Sequence, residues 1–117
     1  MNETAAIVIL ITAPALDKGE EIARALVTEG IAACVSIIPR IISVYRWEGK
    51  VCEDEEVLLL VKSRKSLFPR IRDRVKSMHS YDIPEVIALP VIDGLPEYLD
   101  WVKAATTTVT GERTLLP

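Results

Sequence analysis

Histidine occurs once in the 117 residues, as His79, and its neighbours decide what it can do. Met78 precedes it, and Tyr81, Asp82 and Glu85 follow. An imidazole beside a thioether and a carboxylate is a donor set that copper or another divalent cation accepts. His79, Met78 and Glu85 are therefore the candidate metal ligands. A single chain leaves the site short, because stable metal sites use three or four protein ligands. The simpler role is a histidine ending a helix, where a cation suits the dipole. A cyclic oligomer relaxes the shortage, since each chain can lend a ligand. Imidazole ligates metal only when neutral, so any affinity carried by His79 falls as pH drops.

Other groupings are weaker. Glu53-Asp54-Glu55-Glu56 could attract a hard cation, but strand alternation sends these side chains to opposite faces, and a solvated hairpin end is expected. Tyr45, Arg46, Trp47, Lys50 and Tyr81 could form a polar-aromatic pocket for an anion. Tyr45 and Trp47 serve equally well as subunit-interface anchors. No nucleophile–base spacing accompanies the lone histidine, and the five glycines form no phosphate loop. The chain is not expected to be an enzyme.

The element that must position these groups runs from Cys34 to Lys62. It reads as one long β-hairpin, with Val, Ile, Tyr and Trp in the first arm, a turn at Glu48-Gly49-Lys50, and Val and Leu in the second. Arms of roughly 11–13 residues reach ~36–43 Å at strand rise. A compact chain of this length is only about 35 Å across, so the hairpin overhangs its own domain. After Pro39, Ile41, Ser43, Tyr45 and Trp47 share one face, with Ile42, Val44 and Arg46 on the other. Both faces are apolar over much of their length, whereas a sheet with one wet face alternates. Ile41, Tyr45 and Trp47 are thus candidate subunit contacts, joined by Trp101 of a C-terminal helix.

The remaining elements follow from periodicity and punctuation. Ala5 to Ala13 is a continuous apolar run, expected to be a strand buried on both faces and ended by Pro14. Asp17 to Glu20 resembles a capping box before a helix to Glu29, with Gly30 at C′. Ser66 is placed to cap a second helix whose stripe is Phe68, Ile71, Val75 and Met78. Residues 79–85 form a loop, Val86 to Val91 an edge strand, and Leu95-Pro96-Glu97 opens the last helix. The tail TTTVTGERTLLP is β-prone and placed to dock on a neighbour. The order is βαββαβ plus a helix: an α+β, ferredoxin-like arrangement in a single domain over residues 1–117. Its open apolar face and edge strand would favour aggregation unless an oligomer covers them.

Bulk properties exclude several classes. Lysine plus arginine total 14 against 17 acids, a net charge of −3, which argues against phosphate-driven nucleic-acid binding. No apolar run approaches the ~18 residues of a membrane span, and the N-terminus lacks the basic region of a signal peptide. With the turn centred on Gly49, Cys52 lies opposite Arg46 and roughly 40 Å of strand separates it from Cys34, beyond disulfide reach. A reducing cytoplasm is expected.

At this point the segments SVYRWEGKVCEDEEVLLLVKS, KSMHSYDIPEVIALPV and YLDWV, with ITAP and AACVSIIP before them, resemble the CutA divalent-cation tolerance family in order and spacing. The resemblance implies a cytoplasmic ferredoxin-like homotrimer linked to tolerance of copper and other divalent metals. It also implies metal ligands at a cysteine ending the first strand and at a histidine pair. Here Ile11 stands at the first position and Met78-His79 at the second, so only His79 carries over, with Met78 a soft substitute. Two function classes follow: a metal-tolerance trimer that binds metal ions weakly, and a PII-like trimeric regulator binding a small molecule or protein partner. The second rests on fold analogy.

Overall fold

A computed structural model describes residues 5–106. The order is β1 (Ala6–Ala13), α1 (Leu16–Thr28), β2 (Cys34–Trp47), β3 (Lys50–Arg64), α2 (Phe68–Met78), β4 (Val86–Pro90) and α3 (Pro96–Ala104), with a 3-10 turn at Lys65–Leu67 before α2. The four strands form one antiparallel sheet ordered β2-β3-β1-β4. This is the expected α+β, ferredoxin-like arrangement with an added C-terminal helix.

Alternation along the two central strands makes the core. Ile7, Ile9, Ile11 and Ala13 of β1 and Val57, Leu59 and Val61 of β3 point to one face and are buried. Ile22 and Leu26 of α1 and Ile71 and Val75 of α2 close over them. The other face carries Val8, Leu10, Leu58 and Leu60, only half-buried, and Ile87 and Leu89, exposed. The expectation that β1 is buried on both faces is thus corrected: within one chain only the helix-side face is closed.

The helix ends depart from the sequence reading in a consistent way. α1 begins at Leu16 with Ala15 at the N-cap and no side-chain cap. Asp17 instead accepts a hydrogen bond from the Lys18 backbone N–H at 2.8 Å, so there is no capping box. Gly19 is inside the helix because α1 sits close to the sheet there. A Cβ on it would lie 3.2 Å from Val57 Cγ1 and 3.4 Å from Leu59 Cδ2. Ser66 likewise does not cap α2, which starts after the 3-10 turn with Leu67 at its N-cap. The C-terminal signal holds. Gly30 takes φ 75°, and Gly30 N–H and Ile31 N–H donate to the Val27 and Leu26 carbonyls at 3.0 and 3.1 Å, the Schellman pattern.

Two features aim the hairpin. Trp47 pairs with Lys50 across a two-residue turn, in which Glu48 and Gly49 both have positive φ (49° and 78°), as a type I′ turn requires. Cys52 therefore faces Tyr45, not Arg46; the expected register was one residue off. Near the other end, Ile38 pairs with Leu58 but Ile41 with Glu56, so β2 carries an extra residue at Pro39-Arg40. This bulge switches side-chain parity. Val35 and Ile37 face the helices, whereas Ile41, Ser43, Tyr45 and Trp47 join the open face.

The arms are 14 and 15 residues long, and the molecule measures 47 × 26 × 22 Å. A radius of gyration of 14.9 Å exceeds the ~13 Å of a compact chain this size, as an overhanging arm demands. Cys34 and Cys52 are both free. The proposed tail docking concerns residues beyond Thr106, outside the described residues. Among the described residues no helix is long and apolar enough to cross a membrane.

Candidate functional site

Where the hairpin leaves the body of the sheet, the loop after α2 folds back against it. His79 is the C-cap of α2, its N–H donating to the Val75 carbonyl at 2.8 Å. Its ring is held from both sides. Nε2 lies 2.7 Å from the Thr12 carbonyl oxygen, and Nδ1 accepts the Tyr81 backbone N–H at 3.1 Å. A carbonyl can only accept, so Nε2 bears the hydrogen and the imidazole is neutral. The Tyr81 ring packs on it with centroids 4.6 Å apart, and the Tyr81 hydroxyl reaches on to donate to Glu56 Oε2 at 2.9 Å. One chain of contacts, Thr12–His79–Tyr81–Glu56, pins the loop to the sheet.

Between loop and hairpin lies a cavity of about 660 Å³. Tyr45, Trp47 and Tyr81 supply aromatic wall; Asp54, Glu56, Asp82 and Glu85 supply carboxylates. The Tyr45 hydroxyl donates to Asp54 Oδ2. That bond, with some desolvation, pushes the Tyr45 phenol up to about 12. Burial first and the Glu56 bond second push Tyr81 up to about 12. Glu85 is raised above the usual carboxylate range by desolvation and then by the Glu56 charge.

The sequence candidates are distributed as follows. His79 is buttressed on both nitrogens, so a metal ion could take a lone pair only by displacing one of these bonds. Met78 is half-buried against the core, and its carbonyl accepts from Lys18 Nζ at 3.3 Å. Glu85 lines the cavity. Among the described residues no three His, Cys, Asp or Glu side chains converge to hold a metal ion. Of the candidate subunit contacts, Ile41 is half-buried, and Tyr45, Trp47 and Trp101 are 41%, 48% and 45% exposed. Trp101 pairs with Tyr98, centroids 5.6 Å apart.

The anion pocket is corrected. Tyr45, Trp47 and Tyr81 do meet, but neither Arg46 nor Lys50 lines the space. Carboxylates line it, and they repel an anion. Glu56 and Asp54 were missed as site residues because the acidic run reads as a solvated hairpin end. The available signal was parity: Asp54 and Glu56 share the face of Leu58 and Leu60, and the register places Asp54 opposite Ser43 and Glu56 opposite Ile41.

Comparison with known proteins covers the whole of this architecture. Residues 7–105 match the family model described as CutA1 divalent ion tolerance protein. The chain is 50% identical over 99 residues to the divalent-cation tolerance protein CutA of Thermus thermophilus, covering 85% of this chain and 96% of that protein. It is 48% identical over 107 residues to Protein CutA of Mus musculus, covering 92% of this chain but 60% of the mouse protein. The solved divalent cation tolerance protein from Thermus thermophilus superposes with a TM-score of 0.86 at 49% identity, covering 87% of this chain and 99% of that one. CutA1 from Oryza sativa gives a TM-score of 0.85 at 46% identity, covering 89% and 97%.

Proposed function

Because the chain belongs to the CutA1 divalent ion tolerance family, we propose that it acts in divalent-cation tolerance as a cytoplasmic homotrimer that binds copper or another divalent cation weakly and catalyses no reaction. The observation that carries the reading is the family match over 7–105, which takes in every strand and helix described. Assembly is supported by the half-open apolar sheet face and by the arm that extends past the helices. The free cysteines at distant points of the hairpin suit a reducing compartment. Light scattering is expected to report about three times the 13.0 kDa chain mass; a monomer at micromolar concentration would reject the trimer.

Metal binding, in this reading, centres on His79 with Met78 and Glu85 and is weak because the imidazole must surrender a hydrogen bond to Thr12 or Tyr81. Completion of the site by other copies answers the shortage of ligands in one chain. Copper titration of the purified protein is expected to show weak binding that is lost in His79→Ala and kept in Cys52→Ser. Affinity should fall as pH is lowered, since protonation removes the lone pair. Tight copper binding in His79→Ala, abolished by removing Cys34 or Cys52, would move the chemistry to thiolates.

The cavity favours the second reading, a small-molecule regulator. Its volume lies in the ~300–1,000 Å³ range of ligand pockets, and apolar walls with a few placed polar groups are their usual make-up.

A further inference from the structure

We propose that Cys34 and Lys62 form a reversible redox crosslink, a sulfenamide between Sγ and Nζ, when the protein meets a peroxide. The two residues face each other across β2 and β3, and both are half-buried. Lys62 Nζ lies 3.8 Å from Cys34 Sγ and donates to Ser36 Oγ at 2.5 Å. No ion pair with a carboxylate draws it away among the described residues. The amine is therefore kept beside the sulfur by the strand register and one hydroxyl. Both partners belong to the same ladder of one chain, so their contact does not depend on what covers the sheet face.

The surroundings of the two cysteines set them apart. Tyr98 of α3 lies against Cys34; burial first, and then the charge and hydrogen bond of that sulfur, push its phenol up. Sγ thus sits between an amine and a phenol hydroxyl. Cys52 lies opposite Tyr45, and its thiol donates to the Lys50 carbonyl at 4.0 Å. A sulfenic acid condenses with a nearby thiol or nitrogen. Both cysteines are free and lie at distant points of the hairpin, so a sulfenic acid on Cys34 has no second thiol of its own chain in reach. The Lys62 amine is the nucleophile beside it.

The step balances with hydrogen peroxide as the oxidant. The Cys34 sulfur attacks one peroxide oxygen, the O–O bond breaks, and a sulfenic acid and water result. Lys62 Nζ gives one proton to solvent and attacks that sulfur with the lone pair so freed. The S–O bond breaks, and the hydroxyl leaves as water with a second proton from the nitrogen. The pair has lost two hydrogens and peroxide has become two waters. A thiol added later attacks the sulfur and releases the amine. The link spans a separation of 28 residues and stabilises the folded chain as a disulfide across that loop would.

The test treats purified protein carrying Cys52→Ser with hydrogen peroxide and maps its tryptic peptides without reductant. That variant is used because Cys52 and Lys62 share the peptide 51–64, where a disulfide to Cys34 would have the same mass. Expected is peptide 25–40 joined to 51–64, about 2 Da below the sum of its parts, uncut after Lys62 and separated by dithiothreitol. Lys62→Arg keeps the charge and a donor for Ser36, but its guanidinium stays protonated, and the link should be lost. The map of the Cys52→Ser protein decides alone if Lys62→Arg fails to fold. Cys34 carrying only added oxygens, or joined to Cys34 of another chain, with normal cleavage after Lys62, overturns the proposal. So does Cys34 left unmodified at a peroxide dose that oxidises Met78. A linked peptide that persists in Lys62→Arg overturns it as well, because another nucleophile then captures the sulfur.

Discussion

Leu59→Ala is expected to destabilise the protein by about 2–5 kcal/mol, the range for truncating a fully buried leucine. Leu59 is fully buried at the centre of β3. Ile11 flanks it on one side and Ile37 on the other. α1 rests on it through Gly19, where a Cβ would come within 3.4 Å of Leu59 Cδ2. The surroundings have little means of collapsing into the space left, because strand backbone is fixed on both flanks. The upper half of the range is therefore expected. Denaturant melts at fixed protein concentration should shift in midpoint with an unchanged slope. A loss below about 1 kcal/mol would show that α1 settles onto the sheet and refills the site.

The same position shows why the fold was legible in the sequence. Ile7-Ile9-Ile11 and Val57-Leu59-Val61 repeat with the strand period, Ile71 and Val75 with the helical one, and Gly30 stands just past α1. Each signal is local, and each agrees with the packing that buries it. The capping signals mislead because Asp17 has the right chemistry one position inside the start of α1, and Ser66 has it one position ahead of the N-cap of α2. What decides those starts is tertiary: α1 must approach the sheet closely at Gly19, and a 3-10 turn carries the chain off β3 before α2.

The candidate site was legible only in fragments. Tyr45, Trp47 and Tyr81 were grouped correctly because aromatics in a turn region stand out. Their partners were assigned the wrong charge. Arg46 and Lys50 are nearest in sequence, but Asp54 and Glu56 are nearest across the strands. Arg46 alternates onto the other face of its strand, and a one-residue change in hairpin register would put Glu53 and Glu55, in place of Asp54 and Glu56, on the face of Tyr45 and Trp47, since the side-chain period is two. The bulge at Pro39-Arg40 adds a second parity change. The fixing of both nitrogens of His79 could not be read at all, because Thr12 is 67 residues away in the chain.

The parity change at Pro39-Arg40 also bears on assembly. It puts Trp47 on the open face with Tyr45 and Ile41, at the end of an arm beyond the reach of the chain's own helices. The indole there is left 48% exposed by the described residues, and buried aromatics dominate interface energetics. Trp47→Ala is expected to weaken the proposed trimer by about 2 kcal/mol or more per contact, roughly a 30-fold loss in affinity. It should appear as dissociation on dilution in light scattering and as melting that becomes strongly concentration-dependent. Gly49 and Glu48 stay unchanged, so the turn and the hairpin register survive, and circular dichroism should remain that of the folded chain. Trp101→Ala, in α3, is the companion variant, since its indole is exposed to a similar degree but pairs with Tyr98 within the chain. Its effect should be the smaller of the two. If Trp47→Ala stays trimeric on dilution and melts as the parent does, Trp47 serves the cavity wall and the turn alone, and the subunit contact must be sought along β4 and the Ile87-Leu89 face.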